Sequence, residues 1–490
     1  MLKLPPQKWS LHSPDLWTPQ MIERFERWKE QNLEIKQSAH TTFHFSSGHE
    51  TRLLVIRANS FPEEKAYFLH RTLREAFAPA LSRWLEDSNF QGPELQLQVS
   101  LLEAPLQSRL IDAVAFLSQT CSWKPLAFRK SIEKQKAKPQ KNSVSTLWIH
   151  SSLKSNTVEE ITKDSSALGQ ANTLVRTLAD LPANLLNPKN YRDIAVSFAK
   201  KQRLKTEFLS THHLEKLGAH AFLAVTRAQE VCDAGILKIT YRPSGIKKMK
   251  KLALVGKGIC FDTGGYNIKT GGSMHGMHGD MTGSALALAM VLYFAKMKAP
   301  FEVTAHLALA ENLISPTAFK PNEIVTACDG TTIEVIDTDA EGRMILSDAL
   351  ALVRRESPHL VIDFATLTGA AIRALDTRIG AVFSQKEALA QIAVQEGRKC
   401  GERTWSFPLD SDYREGLKSE IADLQQCATH NKSDHIYAAS FLAHFVGEET
   451  PWLHLDLTPA HNTGGLGLIS SSTTGFGTRW TRAVVQQILS

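Results

Sequence analysis

The sequence has no cysteine pair at motif spacing, no apolar run long enough to cross a bilayer and no strong excess of either charge. Its six cysteines, Cys121, Cys232, Cys260, Cys328, Cys400 and Cys427, include no C-x-x-C, so neither a zinc knuckle nor a disulfide framework is suggested. They read as free thiols of a reducing compartment. The least charged helical stretch, SALALAMVLYFA from Ser284 to Ala295, is too short to span a bilayer and is bounded by Asp280 and Lys296. No membrane partner is expected. The N-terminus, MLKLPPQKWS, has prolines where a secretory signal carries its apolar core, and a cytoplasmic protein is expected. A net charge of +6 over 490 residues is small, whereas a nucleic-acid footprint needs an excess gathered on one surface. Nucleic acid is therefore the minority expectation. Internal repeats and low-complexity tracts are also missing.

What remains is an ordinary globular composition, 43% apolar and 22% charged with 28 Gly and 20 Pro. From Thr42 to Leu181 strand-like runs (RLLVIRA, ELQLQVSLL, STLWIH) alternate with the helical EEKAYFLHRTLREAFAPALSRWLED, the pattern of an α/β layer domain. Within it RKSIEKQKAKPQKN, from Arg129 to Asn142, holds six basic residues and one acid. It reads as a solvated loop, with an anion-binding patch as the sharper alternative. Turn-formers in TLADLPANLLNPKNY lie between two helical patterns, and the connection between domains is expected just before or through the helix that leads into them. Beyond it, strands (ILKITYR, LALVGKGICF, FEVTAHLALA, LVIDFATLT) alternate with helices (DMTGSALALAMVLYFAKM, RMILSDALALVRR). The expected fold is α/β in two domains, residues 1–165 and 166–490. The second should carry a mostly parallel or mixed central sheet flanked by helices, with ligands gathered beyond the carboxyl ends of its strands.

Two stretches of the second domain carry chemistry. VIDTDAEGRM puts Asp337, Asp339 and Glu341 at every second position, which in an extended turn directs them to one side. An exposed acidic turn would relieve their repulsion by hydration. Apolar neighbours on both sides argue instead for buried charges that are paired or metal-bound. LVGKGICFDTGGYNIKTGGSMHGMHGDMTG follows a strand and presents Lys257, Asp262, Lys269 and Asp280. It is not a P-loop, because Lys251 stands at the first glycine position and Gly258 follows Lys257. Nor is it a dinucleotide turn, because Phe261 occupies the third glycine position. Five acids and three bases in two strand-end loops suit hard or borderline divalent cations, and shared carboxylates can bridge two of them. A paired-metal hydrolase is the sharp hypothesis. His275 and His278, with no third His or Cys at ligand spacing, read as surface or supporting residues.

At these residues the chain resembles the leucyl aminopeptidase (cytosol aminopeptidase, M17) family. The family signature N-T-D-A-E-G-R-L reads D-T-D-A-E-G-R-M here, and the upstream G-K-G-x-x-F-D-[ST]-G-G-x-x-x-K block reads G-K-G-I-C-F-D-T-G-G-Y-N-I-K. Similarity continues through LADLPANLLNP, KPNEIVTACDGTTIEV, FATLTGA, PWLHLDLT and TTGFGTR, covering roughly residues 170 to 480. The first 165 residues carry none, as in a family whose N-terminal domain is variable.

The resemblance implies that Lys257, Asp262, Asp280, Asp339 and Glu341 hold two divalent ions, Mn2+, Zn2+ or Mg2+. Asp262 and Glu341 would bridge them, and Lys257 would bind as a neutral amine. It implies that Lys269 stabilises the oxyanion and that Arg343 holds a bicarbonate acting as general base, although Arg343 could equally pair with Asp337 or another acid. It further implies that Met277, Thr366, Leu367 and Gly369 line the substrate, a peptide with a free N-terminus and a leucine-like first residue. The assembly implied is a homohexamer.

Departures from the family pattern are Asp337 in place of Asn, His278 in place of Lys, Thr458 and Pro459 in place of Ala-Gly, and SDHIYAASFL in place of a glycine-containing stretch. The alternatives are a DNA-binding or regulatory role, served by the basic run, and a two-metal hydrolase of another substrate such as a phosphoester.

Overall fold

The computed structural model describes residues 40–47, 50–57, 66–78, 94–99, 102–128, 146–229, 233–246, 248–428 and 432–489. The basic run from Arg129 to Asn142 and Cys232 lie outside the described residues. The chain divides into two compact units, residues 1–173 with 467–470 and residues 174–466 with 471–490.

In the first unit β1 (His40–Ser47), β2 (Glu50–Arg57), β3 (Glu94–Gln98) and β4 (Thr146–His150) form one sheet in the order β2-β1-β3-β4. Strand β1 runs antiparallel to β2 and β3, and β3 is parallel to β4. Of the helical pattern expected over residues 63–87, only 66–78 lie within the described residues, and there a helix over Ala66–Thr72 widens into a π turn over Leu73–Phe77. Helix α1 (Ala104–Thr120) buries Leu110, Ile111, Val114 and Leu117, a spacing that makes one apolar stripe.

The second unit is built on an eight-stranded sheet. Its strands are β5 (Lys205–Ser210), β6 (Gly235–Tyr241), β7 (Lys251–Asp262), β8 (Glu302–Asn312), β11 (Leu360–Ala365), β12 (Gly380–Phe383), β13 (Thr404–Ser406) and β15 (Trp452–Asp456). They lie in the order β13-β12-β15-β11-β7-β8-β6-β5. The central four, β15, β11, β7 and β8, are mutually parallel, while β12, β6 and β5 join antiparallel, so the sheet is mixed. The parallel strands are covered on both faces and read as continuous apolar runs; in β7 every residue from Leu252 to Cys260 is buried.

Helices α2 (Ser155–Ala179), α3 (Pro188–Lys201), α4 (Thr282–Lys296), α5 (Glu341–Arg354), α6 (Gly369–Leu375), α7 (Asp434–Val446) and α8 (Thr478–Leu489) complete the set that matters here. The apolar stretch from Ser284 to Ala295 is α4, buried along almost its whole length. It lies so close to the sheet that a Cβ on Gly283 would come within 2.1 Å of the Phe364 carbonyl oxygen. Only glycine permits that approach. Among the described residues no helix is long and apolar enough to cross a membrane. On the other face α5 and α7 bury Met344, Ile345, Leu346, Phe441, Leu442 and Phe445 in one cluster with Val255, Val361 and Trp452 of the sheet.

Because β7 and β8 pair from Lys251 opposite Glu302 to Asp262 opposite Asn312, Asp262 and Asn312 finish side by side at the carboxyl edge. Ala365 and Asp456 finish as neighbours in the same way. Only part of the run TTIEVID forms a strand. It is β10 (Thr332–Glu334), and it belongs to a separate small sheet between β14 (Leu424–Gln425) and β9 (Ile324–Thr326). Cys121, Cys260, Cys328, Cys400 and Cys427 are free thiols.

Candidate active site

The two acidic stretches converge at the carboxyl edge of the central strands. Strand β7 contributes Lys257 and, at its end, Asp262. The loop after it carries Lys269 and closes with a short 3-10 turn, Met277–Gly279, that delivers Asp280 just ahead of α4. The turn after β10 contributes Asp339, and Glu341 opens α5. Lys257 Nζ lies 2.8 Å from Asp280 Oδ2 and 2.9 Å from Glu341 Oε1. Lys269 Nζ lies 2.9 Å from Asp262 Oδ2 and 2.5 Å from Asp339 Oδ1. Carboxylate oxygens of Asp262, Asp280 and Glu341 all fall within 4.8 Å of one another.

Burial makes this concentration of charge costly. Lys257, Asp262, Asp280 and Glu341 are 3%, 2%, 6% and 1% exposed. Burial, reinforced by the charge of Asp262, pushes Glu341 up to about 8 and Asp280 and Asp339 up to about 6. For Lys257 burial alone would lower the pKa, but the charges of Asp280, Glu341 and Asp262 outweigh it and raise it. Lys269 is likewise raised against its burial by Asp262 and Asp339. The two ammonium groups occupy the centre of the carboxylates, so four acids face two bases.

A cation fits what is left over. Glu341 Oε2 is buried with no hydrogen-bond partner among the described residues, and ionising a buried carboxyl without a donor is expensive. An all-oxygen set with one amine suits hard and borderline divalent ions.

The surrounding groups fix these carboxylates. Asn312 Nδ2 and the Gly264 N–H both donate to Asp262 Oδ1, each at 2.9 Å. Thr366 Oγ1 donates to Asp280 Oδ1 at 2.7 Å, and its carbonyl accepts from Lys257 Nζ at 3.2 Å. Thr338 ties the two loops together, donating to the Gly264 carbonyl at 2.6 Å and accepting from the Asn267 N–H at 2.8 Å.

The alternation of Asp337, Asp339 and Glu341 does not bring all three to one side, because residues 337–340 form a turn rather than an extended segment. Ala340 N–H bonds to the Asp337 carbonyl at 3.1 Å, and the Asp337 carboxylate accepts the Asp339 N–H at 2.8 Å. Asp337 thus shapes the turn, and only Asp339 and Glu341 reach the lysines.

Arg343 is buried, and its acid partner is Asp434 at the start of α7, not Asp337. Both Asp434 oxygens sit on Arg343 Nη2, at 2.6 and 2.8 Å, while Nη1 donates to the Gln426 carbonyl at 3.2 Å. Gln426 also accepts the Ile336 and Asp337 N–H groups and donates to the Ala340 carbonyl, holding the acidic turn.

Of the residues expected to line a substrate, Thr366 touches the carboxylate cluster. Leu367 is half-buried with its N–H on Asp456 at 3.0 Å, Gly369 is exposed at the start of α6, and Met277 is half-buried beside Asp280. Thr458 is buried, its hydroxyl on the Ile379 carbonyl. His275 is exposed and His278 half-buried.

Sequence reasoning missed Asn312, Gln426 and Asp434. Asn312 ends an apolar strand, a position where a polar residue is a usable signal. Gln426 has no local mark. An acid opening a helix after Ser433 resembles ordinary helix-start chemistry, which hides a partner 91 residues away in sequence.

Fold and site together define an α/β protein with a buried carboxylate and lysine centre fit to hold cations. Residues 173–481 match the cytosol aminopeptidase family, catalytic domain. A probable cytosol aminopeptidase of Cyanothece sp. is 41% identical over 308 residues, 62% of this chain and 62% of that one. One of Synechocystis sp. is 38% identical over 347 residues, 69% of each. One of Corynebacterium glutamicum is 40% identical over 293 residues, 60% of this chain and 58% of that one. The chain spans 62% of the length of the first of these relatives. It belongs to the cytosol aminopeptidase family.

Proposed function

We propose that the protein is a metal-dependent aminopeptidase that removes apolar, leucine-like residues from peptides with a free N-terminus. The observation that carries this reading is the buried convergence of Asp262, Asp280, Asp339 and Glu341 on two lysine amines, with Glu341 Oε2 left unpartnered. Family membership supplies the reaction class. Two divalent cations, Mn2+, Zn2+ or Mg2+, would be held by the four carboxylates and by Lys257 as its neutral amine. When bound, such ions acidify a water and polarise a carbonyl.

The chain's own groups do the rest. Lys257 has to release its proton, and Thr366 holds Asp280 in place as that happens. Lys269, side chain 15% exposed, is the ammonium that reaches the open side of the cluster. In this reading it donates to the oxygen that gains charge when the scissile carbonyl is attacked. Met277, Thr366, Leu367 and Gly369 would flank the substrate backbone and its first side chain. Cytoplasmic location, expected from the cysteine usage and the N-terminal sequence, and a homohexamer, implied by the family resemblance, belong to the same reading; sedimentation velocity tests the assembly.

The test is a rate measurement on a panel of aminoacyl anilides with Mn2+, Zn2+ or Mg2+, run beside an N-acetylated anilide and a phosphoester. The intact chain should hydrolyse the leucyl anilide and neither of the last two, and Asp339→Ala should lose most of that rate. Equal rates in the two chains, or turnover of the phosphoester alone, would overturn the reading.

A further inference from the structure

Residues 366 to 369 link β11 to α6. The first of them belongs to the carboxylate cluster, since the Thr366 carbonyl accepts from Lys257 Nζ and its hydroxyl donates to Asp280. The next two are held by Asp456, the last residue of β15, which the register places beside Ala365 at the end of β11. Asp456 Oδ1 accepts the Leu367 N–H at 3.0 Å, and Oδ2 accepts the Thr368 hydroxyl at 2.8 Å. The Thr368 hydroxyl in turn accepts the Ala371 N–H at 3.2 Å, which caps α6 and fixes where Gly369 begins it.

Asp456 is 2% exposed, and a buried carboxylate is costly unless its oxygens are satisfied. This segment satisfies one with Leu367 and the other with Thr368, and bonds to an ionised acceptor are roughly twice as strong as neutral ones. An amide in its place would offer one acceptor where two donors arrive. The backbone behind Asp456 is fixed as well. Thr458 donates its hydroxyl to the Ile379 carbonyl, and the Pro459 carbonyl accepts the Thr474 hydroxyl at 2.6 Å. These two residues stand where the family has Ala-Gly, and proline locks its own φ where glycine would leave it free.

We propose that Asp456 is a positioning residue for peptide binding: it holds Leu367 to Gly369 in the conformation that receives the substrate's backbone and first side chain. Thr366 keeps its own bonds to Lys257 and Asp280 without it. The inference rests on the aminopeptidase reading for the place of the substrate, and on the hydrogen bonds alone for the anchor. Freed from Asp456, the segment would have to be ordered each time a peptide bound, and that cost falls on binding. It falls equally on the bound substrate and on the transition state, so KM should rise while kcat changes little.

Wild type, Asp456→Ala, Asp456→Asn, Thr368→Val and the double variant Asp456→Ala/Thr368→Val are compared in leucyl-anilide kinetics, Mn2+ affinity and amide hydrogen exchange. Asp456→Ala should raise KM about 10- to 100-fold, the range given by a lost bond to a charged group, with kcat and Mn2+ affinity near wild type. Asp456→Asn, which keeps an acceptor for Leu367, should lie between, and Thr368→Val should also raise KM. The double variant should be no worse than Asp456→Ala, because the two side chains share one bond. The Leu367 and Ala371 amides should exchange faster in Asp456→Ala. If that variant does not fold, Asp456→Asn and Thr368→Val carry the same readouts. A wild-type KM in the folded variants, or a fall in kcat and Mn2+ affinity at unchanged KM, would overturn the proposal. If wild type itself leaves the anilide intact, the aminopeptidase reading fails; faster exchange in Asp456→Ala then upholds the anchor, and unchanged exchange overturns it.

Discussion

Gly342 lies against Lys257 so closely that a Cβ on it would stand 2.5 Å from Lys257 Cε and 2.7 Å from Nζ. Lys257 cannot swing aside cheaply, because its amine is held by Asp280, Glu341 and the Thr366 carbonyl. Gly342 is the second residue of α5, where alanine gains little in helix propensity, and the added methyl overpacks a pinned side chain at a typical cost of about 1–3 kcal/mol, so Gly342→Ala should melt below the parent chain. The displaced amine should also weaken Mn2+ uptake and leucyl-anilide turnover together. Thermal melting and a Mn2+ titration on one preparation check this; unchanged affinity would show that Lys257 is not part of the cation site.

The raised carboxyl groups set the pH dependence of cation uptake. With Glu341 at about 8 and Asp280 and Asp339 at about 6, these groups hold protons in the folded, cation-free chain at pH values where the unfolded chain has released them. The cation-free fold should therefore lose stability as pH climbs from the ordinary carboxyl range towards 8. Cation affinity should rise over the same interval, because ligands must be deprotonated. Calorimetry of Mn2+ binding in buffers of different ionisation enthalpy should show protons released, and fewer of them from the carboxyls at higher pH. Uptake without proton release at pH 6 would contradict the pairing described here.

The sequence made the chemistry legible where residue type and strand ends coincide. Lys257 and Asp262 sit on an apolar run that had to be a buried strand, and Glu341 begins an amphipathic helix, so their placement at a strand-end edge followed from periodicity alone. That the two loops meet was not readable, since it depends on β7 and β8 sharing a register and on the side-to-side order of the sheet. Asp337 misled because alternation assumes extended backbone, and its own carboxylate bends the chain. Arg343 was legible as a charge needing a partner, but the partner arrives with α7 through tertiary packing. The shortness of β10 has a similar cause: an apolar pattern reports burial, and Val335 is buried past the paired residues, its N–H on the Glu323 carbonyl and its carbonyl on the Asn322 N–H, both outside β9.

Thr366 is expected to act through Asp280. Its hydroxyl donates at 2.7 Å to the oxygen that does not face Lys257, so Thr366→Val keeps the shape and removes one donor to a buried charge. A hydrogen bond to a charged group contributes about 1.5–3 kcal/mol, and loss of a comparable supporting contact to a metal ligand weakens binding about 10- to 100-fold. Mn2+ affinity should fall within that range while the carbonyl of residue 366 still accepts from Lys257. A Thr366→Val chain with unaltered Mn2+ affinity would assign Thr366 to substrate contact alone.

A second buried ionic group lies in the sheet and bears on stability. His454 Nδ1 donates to Asp363 Oδ1 at 2.6 Å, and Trp452 Nε1 donates to Asp363 Oδ2 at 2.6 Å. Burial by itself would lower the His454 pKa, yet the Asp363 charge and hydrogen bond raise it above the ordinary 6.5. A histidine raised in this sense contributes stability that is fully present below 6.5 and lost as pH rises through the folded value. Breaking a buried pair by removing one member costs about 3–5 kcal/mol. His454→Gln, which can still donate to Asp363, should therefore be destabilised most in mildly acidic solution, and its deficit against wild type should shrink as pH rises above 6.5. Urea unfolding of both cation-free chains across that interval measures the difference directly. A deficit that stays constant with pH would mean that His454 is neutral in the folded protein and that Asp363 is held by Trp452 and a neutral imidazole.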